Sequence, residues 1–132
     1  MLADDFEGFH RHQILPQPIE TFEGRKMVTT SEQMRVVFAS VRAHQKRLGV
    51  THLERTCDDA KFVGKENLEG IYTSYAYRGA TLVQDPYQSF AYLRLVSGDW
   101  KFAYCMYAVP DGSRLNDALL NVPKAQPPLV SA

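Results

Sequence analysis

Cysteine is scarce in this sequence: Cys57 and Cys105 are the only two, and they lie far apart. No CxxC pair exists, which excludes a zinc ribbon and a thioredoxin-type redox motif. In a reducing compartment the expectation for such a pair is two free, buried thiols rather than a disulfide. Excess charge is missing too, because 15 Lys and Arg balance 15 Asp and Glu. That removes the basic stripe of a nucleic-acid binder and the cationic face of a protein drawn to anionic membranes. No apolar run is long enough to span a bilayer. The opening MLADDFEGFHRH is acidic and has no apolar signal-peptide centre. The expectation is a cytoplasmic protein with neither nucleic acid nor membrane as a partner.

Chemical motifs are equally sparse. There is no Ser-His-Asp order, no Gly-rich phosphate loop and no dinucleotide fingerprint, and GKENLEG lacks P-loop spacing. His10 and His12 are two positions apart, which share a face on a strand but not on a helix. No third ligand is suggested by spacing, so no metal is expected, and no cofactor either.

What is present is apolar mass: 45% of the 132 residues are hydrophobic and 23% are charged. That composition suits one soluble domain with a proper core. Apolar Leu2, Phe6 and Phe9 have helical spacing over Leu2–Ile14, ended by Pro16 and Pro18. PIETFEGRKMVTT reads as two short extended pieces around Glu23-Gly24. The clearest element is a helix from about Ser31 to Leu48. Thr30 with Gln33, or Thr29 with Glu32, fits a capping box. Met34, Val37, Phe38, Val41 and Leu48 form one stripe, and Gly49 with Val50 suits a Schellman stop. Strands follow near Leu53–Val63, Leu68–Arg78, Tyr87–Val96 and Trp100–Val109, with breaks at residues 64–67, 79–86 and 97–99. A short helical piece at Leu115–Leu120 and a proline-containing tail close the chain.

The stretch SGDWKFAYCMYAV is dense in aromatics. With Gly98-Asp99 as a type II′ hairpin loop, Leu95 pairs with Phe102, Leu93 with Tyr104 and Ala91 with Met106 on an inner face. Tyr92 then pairs with Cys105, and Phe90 with Tyr107, on the outer face. This register predicts a core of Trp100, Phe102, Leu93 and Leu95 beneath the long helix. In the preceding strand Tyr75 and Tyr77 share a face with Ile71, while Tyr72 takes the other.

Pro18, Gly24-Arg25, the Thr30–Gly49 helix, Leu53-Glu54 and Gly98-Asp99-Trp100-Lys101, in that order and spacing, resemble the nuclear transport factor 2-like superfamily, nearest its SnoaL-like and ketosteroid-isomerase-like bacterial members. The resemblance spans roughly Pro16 to Val109. It implies an α+β fold, with a curved antiparallel sheet wrapped around helices as a cone, a cystatin-like roll. It also implies one domain over residues 1–132, with 110–132 as a C-terminal extension. Relatives are frequently homodimers packed through the sheet's outer surface, which here would use Phe90, Tyr92 and Tyr107. Catalytic relatives place an Asp or His inside the cone, often with a Tyr donor. The candidates here are His44, expected on an exposed helix edge, and Asp58 or Asp59, expected at a bulge or edge.

The resulting expectation is a homodimer with a mostly apolar cone pocket walled by Phe38, Val41, Tyr75, Tyr77, Tyr104 and Met106. Such a wall suits a small apolar organic ligand. The rival readings are a cofactor-free isomerase, dehydratase or cyclase, and a non-catalytic interaction module with a filled cone.

Overall fold

The computed structural model describes residues 4–110 and 112–124. Six strands and three helices run in the order α1 (Phe6–His10), β1 (Gln17–Thr21), β2 (Gly24–Val28), α2 (Ser31–Leu48), β3 (His52–Phe62), β4 (Asn67–Arg78), β5 (Thr81–Val96), β6 (Asp99–Tyr107) and α3 (Arg114–Leu119). The strands form one curved, unclosed sheet in the order β2-β1-β6-β5-β4-β3. All neighbours are antiparallel except β1 and β6, which run parallel with Ile19 opposite Cys105. The fold class is therefore the expected α+β roll. The tail from residue 125 lies outside the described residues.

The long helix begins and ends where its chemistry dictates. Thr30 Oγ1 accepts from the Gln33 N–H at 3.2 Å, and Gln33 Oε1 accepts from the Thr30 N–H at 3.1 Å. Each supplies a partner for a backbone donor that the first helical turn leaves unpaired. At the other end Gly49 turns left-handed at φ 69°. Its N–H reaches the Lys46 carbonyl and the Val50 N–H reaches Gln45, the paired bonds of a Schellman ending.

The stripe of α2 buries Met34, Val37, Phe38 and Val41 against Ile19, Val28, Val109, Leu115 and Leu119. Phe6 and Phe9 of α1 close over Phe38, with ring centroids 5.5 and 5.2 Å from it. The α3 residues Leu115 and Leu119 are thus part of the main core. Buried Gln17 on β1 ties the halves of the chain together, its amide donating to the Phe102 carbonyl at 3.0 Å. No helix among the described residues is long and apolar enough to cross a membrane.

Two expectations about the sheet are corrected. The gap predicted between residues 79 and 86 is strand: β5 begins at Thr81 and runs through Asp85 and Pro86. The ladder absorbs the proline by slipping register between Ser74 and Ala76, so that Ser74 faces Tyr87 while Ala76 faces Gln84. Proline has no N–H to give a ladder, and a bulge is where it is tolerated.

The second correction concerns the β5–β6 hairpin. Its loop is Ser97-Gly98, one residue earlier than predicted, with Val96 opposite Asp99. Both loop residues have positive φ, 51° and 85°, the signature of a type I′ turn. Leu95 then pairs with Trp100 and Leu93 with Phe102. Beyond this point Tyr92 pairs with Tyr104, leaving Ala103 as a bulge. One extra residue reverses side-chain alternation. Tyr104 and Met106, expected inside, lie on the outer face opposite Tyr92 and Phe90, while Cys105 and Tyr107 turn inward. Nor do Trp100, Phe102, Leu93 and Leu95 form the core under α2. Trp100 instead packs on Phe62 of β3, with centroids 5.8 Å apart.

Candidate functional site

The concave face of the sheet is covered by helices over only part of its width. On the covered part sits the core. On the rest, cross-strand neighbours build an inner wall from four strands. Arg55 on β3 faces Ser74 on β4, which faces Tyr87 on β5. In the next row Cys57 faces Tyr72, Tyr72 faces Ser89, and Ser89 faces Tyr107 of β6. Directly opposed residues on a ladder share a face, so these side chains lie on one side of the sheet, where Arg55, Ser74, Tyr87 and Tyr107 border one space.

That space has two compartments. The inner one, about 50 Å³, lies between α2 and the sheet and is bordered by Val41, His44, Leu53, Ser74, Gln84 and Tyr87, among others. The outer one, about 290 Å³, is lined by Phe9, Gln13, Leu53, Arg55, Phe102, Cys105 and Tyr107. Leu53, Arg55 and Tyr107 border both. The strand β3 is the sheet's edge and is exposed along nearly its whole length. This leaves the wall open to solvent on that side.

The wall is polar but uncharged apart from Arg55. Burial, helped by the neighbouring Cys105, pushes the Tyr72 phenol up to about 12, and burial pushes the Cys105 thiol up to about 11. Burial also raises Tyr87, and raises Tyr107 well above the ordinary tyrosine value. All four keep their protons at neutral pH. The charge of exposed Arg55 works against burial at Tyr72, Tyr87 and Cys105 alike. The guanidinium stands 5.4 Å from the Tyr72 ring centroid and forms no ion pair with any described residue. The buried Ser74 and Ser89 hydroxyls stand beside the phenols of Tyr87 and Tyr72, yet neither completes a well-formed hydrogen bond.

The predicted site residues divide. Val41 and Tyr75 border the inner compartment. Phe38 is in the core, and Tyr77 pairs with His52 on the opposite side of the sheet from Ser74. Tyr104 and Met106 are outside, where the Tyr104 hydroxyl donates to the Glu20 carboxylate. Of the predicted interface residues, Phe90 and Tyr92 are on the outer face, whereas Tyr107 is inside.

His44, expected on an exposed edge, is buried and borders the inner compartment, its Nε2 2.8 Å from Gln84 Oε1. The carboxyls of Asp58 and Asp59 stay out of the cone. Asp58 is the bulged residue of β3 and accepts from Thr73 at 2.5 Å, on the outer side. Among the described residues no three His, Cys, Asp or Glu side chains gather as metal ligands.

Arg55, Tyr87 and Ser74 were missed by sequence reasoning. The signal was the alternation Leu53, Arg55, Cys57, a single cation set between two apolar residues on one strand face. The bulge at Ala103, which brings in Tyr107, has no such signal.

No protein-family model matches the chain, and no curated protein matches it. Solved structures do. An NTF2-like protein with a cystatin-like fold from Novosphingobium aromaticivorans superposes with TM-score 0.62 at 14% identity, over 90% of this chain and 78% of the other. An NTF2-like protein of unknown function from Shewanella oneidensis gives 0.60 at 8% identity, over 79% and 83%. A ketosteroid isomerase-like protein from Erwinia carotovora atroseptica gives 0.59 at 16% identity, over 81% and 82%. At these identities the likeness establishes the fold.

Proposed function

We propose that this chain, carrying the nuclear transport factor 2-like fold, is a small-molecule-binding protein whose ligand sits in the cone. The supporting observation is the outer compartment of about 290 Å³, open along β3 and walled by Leu53, Phe102 and Tyr107. A cavity of about 150 Å³ holds a benzene ring, so the space suits a body of one or two rings. A filled cone serving only as an interaction module would not leave such a volume.

Binding is favoured over turnover by the state of the acid–base groups. Both Asp58 and Asp59 are outside the cone. Glu54 touches the inner compartment from an exposed position opposite Tyr75, on the other strand face from Arg55. His44 is committed to Gln84 rather than to a phenol.

The test is titration with Nile red, an uncharged fluorescent probe. Leu53→Trp fills the shared wall of both compartments and is expected to weaken binding about tenfold or more. Met106→Trp, on the outer face, is expected to leave it unchanged. Equal affinity in wild type and Leu53→Trp would place the pocket elsewhere.

The outer face supports a homodimer. Ile71 is exposed, and Phe90, Tyr92, Tyr104 and Met106 are half-buried beside it on strands β4, β5 and β6. A two-fold contact would cover this apolar area with a second copy of itself. Light scattering should report twice the chain mass, falling to the chain mass in Tyr92→Glu. A monomeric wild type at micromolar concentration would refute the dimer.

A further inference from the structure

We infer that the ligand of the cone is a small organic monoanion, a carboxylate on a one- or two-ring body, held by Arg55; this rests on the binding reading above. Four observations converge. Arg55 borders both compartments, and no described carboxylate pairs with it. A guanidinium presents a planar fork of donors that matches a carboxylate with two parallel bonds. Directly opposite Arg55 on the ladder, Ser74 borders the inner compartment, is 6% exposed, and has a hydroxyl that stands beside the Tyr87 phenol without completing a well-formed hydrogen bond. Buried hydroxyls almost always have partners, so one without a well-formed bond is a vacant donor or acceptor.

The surrounding groups set the charge of the ligand. The Tyr72 ring lies beside the guanidinium, and Tyr87, which borders the inner compartment, carries a neutral phenol able to donate. Arg55 is the single permanent cation among the residues bordering either compartment. The bordering carboxylate, Glu54, is on the other strand face, so on the inner face one cation balances one negative charge, which favours a carboxylate over a phosphate dianion. Beside it Leu53, Phe9 and Phe102 offer apolar surface for the rest of the molecule. Charge at one end and a hydrocarbon wall at the other define an aryl or short aliphatic carboxylate.

The experiment compares 2-naphthoate with 2-naphthamide by calorimetric titration, alongside Nile red. The two naphthalenes share a body and differ in charge. Wild type should bind the carboxylate about tenfold or more tightly than the amide, the scale of a charge-assisted bond over a neutral one. Arg55→Gln should abolish that preference, the carboxylate falling to the affinity of the amide. Arg55→Lys, which retains the charge without the fork, should keep part of it. Equal binding of carboxylate and amide by wild type overturns the inference, and so does a preference that survives in Arg55→Gln. If Nile red binds and neither naphthalene does, the anion assignment falls while the pocket stands. If none of the three binds, the pocket falls and the anion assignment with it.

Discussion

Replacing Phe38 with Ala is expected to lower the free energy of unfolding by about 3–5 kcal/mol, the usual cost of deleting a buried aromatic ring. Phe38 sits mid-helix on α2, is 6% exposed, and is the residue on which Phe6 and Phe9 both close. The vacated space has little means of collapsing. One wall is the sheet and the other is the short helix α1, tied to α2 by the Glu7–Arg35 ion pair and by the Arg35 guanidinium 4.2 Å over the Phe6 ring. Urea titration followed by far-UV circular dichroism measures the loss. A decrease below about 1 kcal/mol would mean that α1 follows the missing ring inward and refills the gap.

Raising the pH should unfold the protein through its own inner wall. A thiol or phenol whose pKa is higher folded than unfolded prefers its proton in the native state. Its contribution is intact below the unfolded value and is lost as pH climbs toward the folded one. For Cys105, raised by burial from 9.0 to about 11, the loss begins near pH 9. For Tyr72, raised mainly by burial from 10.0 to about 12, it begins near pH 10. Within its window each group removes about 1.4 kcal/mol per pH unit. Tyr87 and Tyr107 shift in the same direction and steepen the fall. The urea midpoint should be flat from pH 7 to 8.5, decline from pH 9, and drop sharply beyond 10. Cys105→Ala should delay the first decline by about one unit. A midpoint unchanged to pH 11 would show that these groups are hydrated.

What could be read from the sequence depended on how local the signal was. The helix α2 carries its own start in Thr30 and Gln33, its own stop in Gly49, and its own inner stripe in Met34, Val37, Phe38 and Val41. Each lies within a few residues of what it specifies, and the expected span agrees with Ser31–Leu48. The strands were also located by their own composition. Pro86 misled, because whether a proline ends a strand or sits at a bulge depends on the partner strand, here through the slip around Ser74 and Ala76.

The site depended on parity along strands, which one residue can overturn. The Ser97-Gly98-Asp99 sequence suits either of two adjacent turns, and Ala103 gives no warning of a bulge. Trp100 and Phe102 nevertheless kept the inward side, since the turn slipped the pairing by an even step. Tyr104, Met106 and Tyr107 lay past the bulge and were exchanged between faces. In β4 the grouping of Tyr75, Tyr77 and Ile71 against Tyr72 was correct. Which group faces inward is settled only by β3 and β5 on either side.

The parallel seam between β1 and β6 has a consequence for how the chain assembles. The hairpin of β1 and β2 attaches to a strand made much later, with Gln17 bonding to Phe102 across a separation of 85 residues and Glu20 to Tyr104 across 84. During synthesis at roughly 5–20 residues per second, the hairpin therefore waits several seconds with the β1 edge unpaired. The β3–β4 and β4–β5 hairpins can form in the meantime from near neighbours, at small cost in loop closure. Joining the two parts is the high-separation step that slows folding. It is also when the apolar residues Ile19 and Val28 are last exposed, which makes the interval before β6 emerges the one in which a chaperone has most to cover.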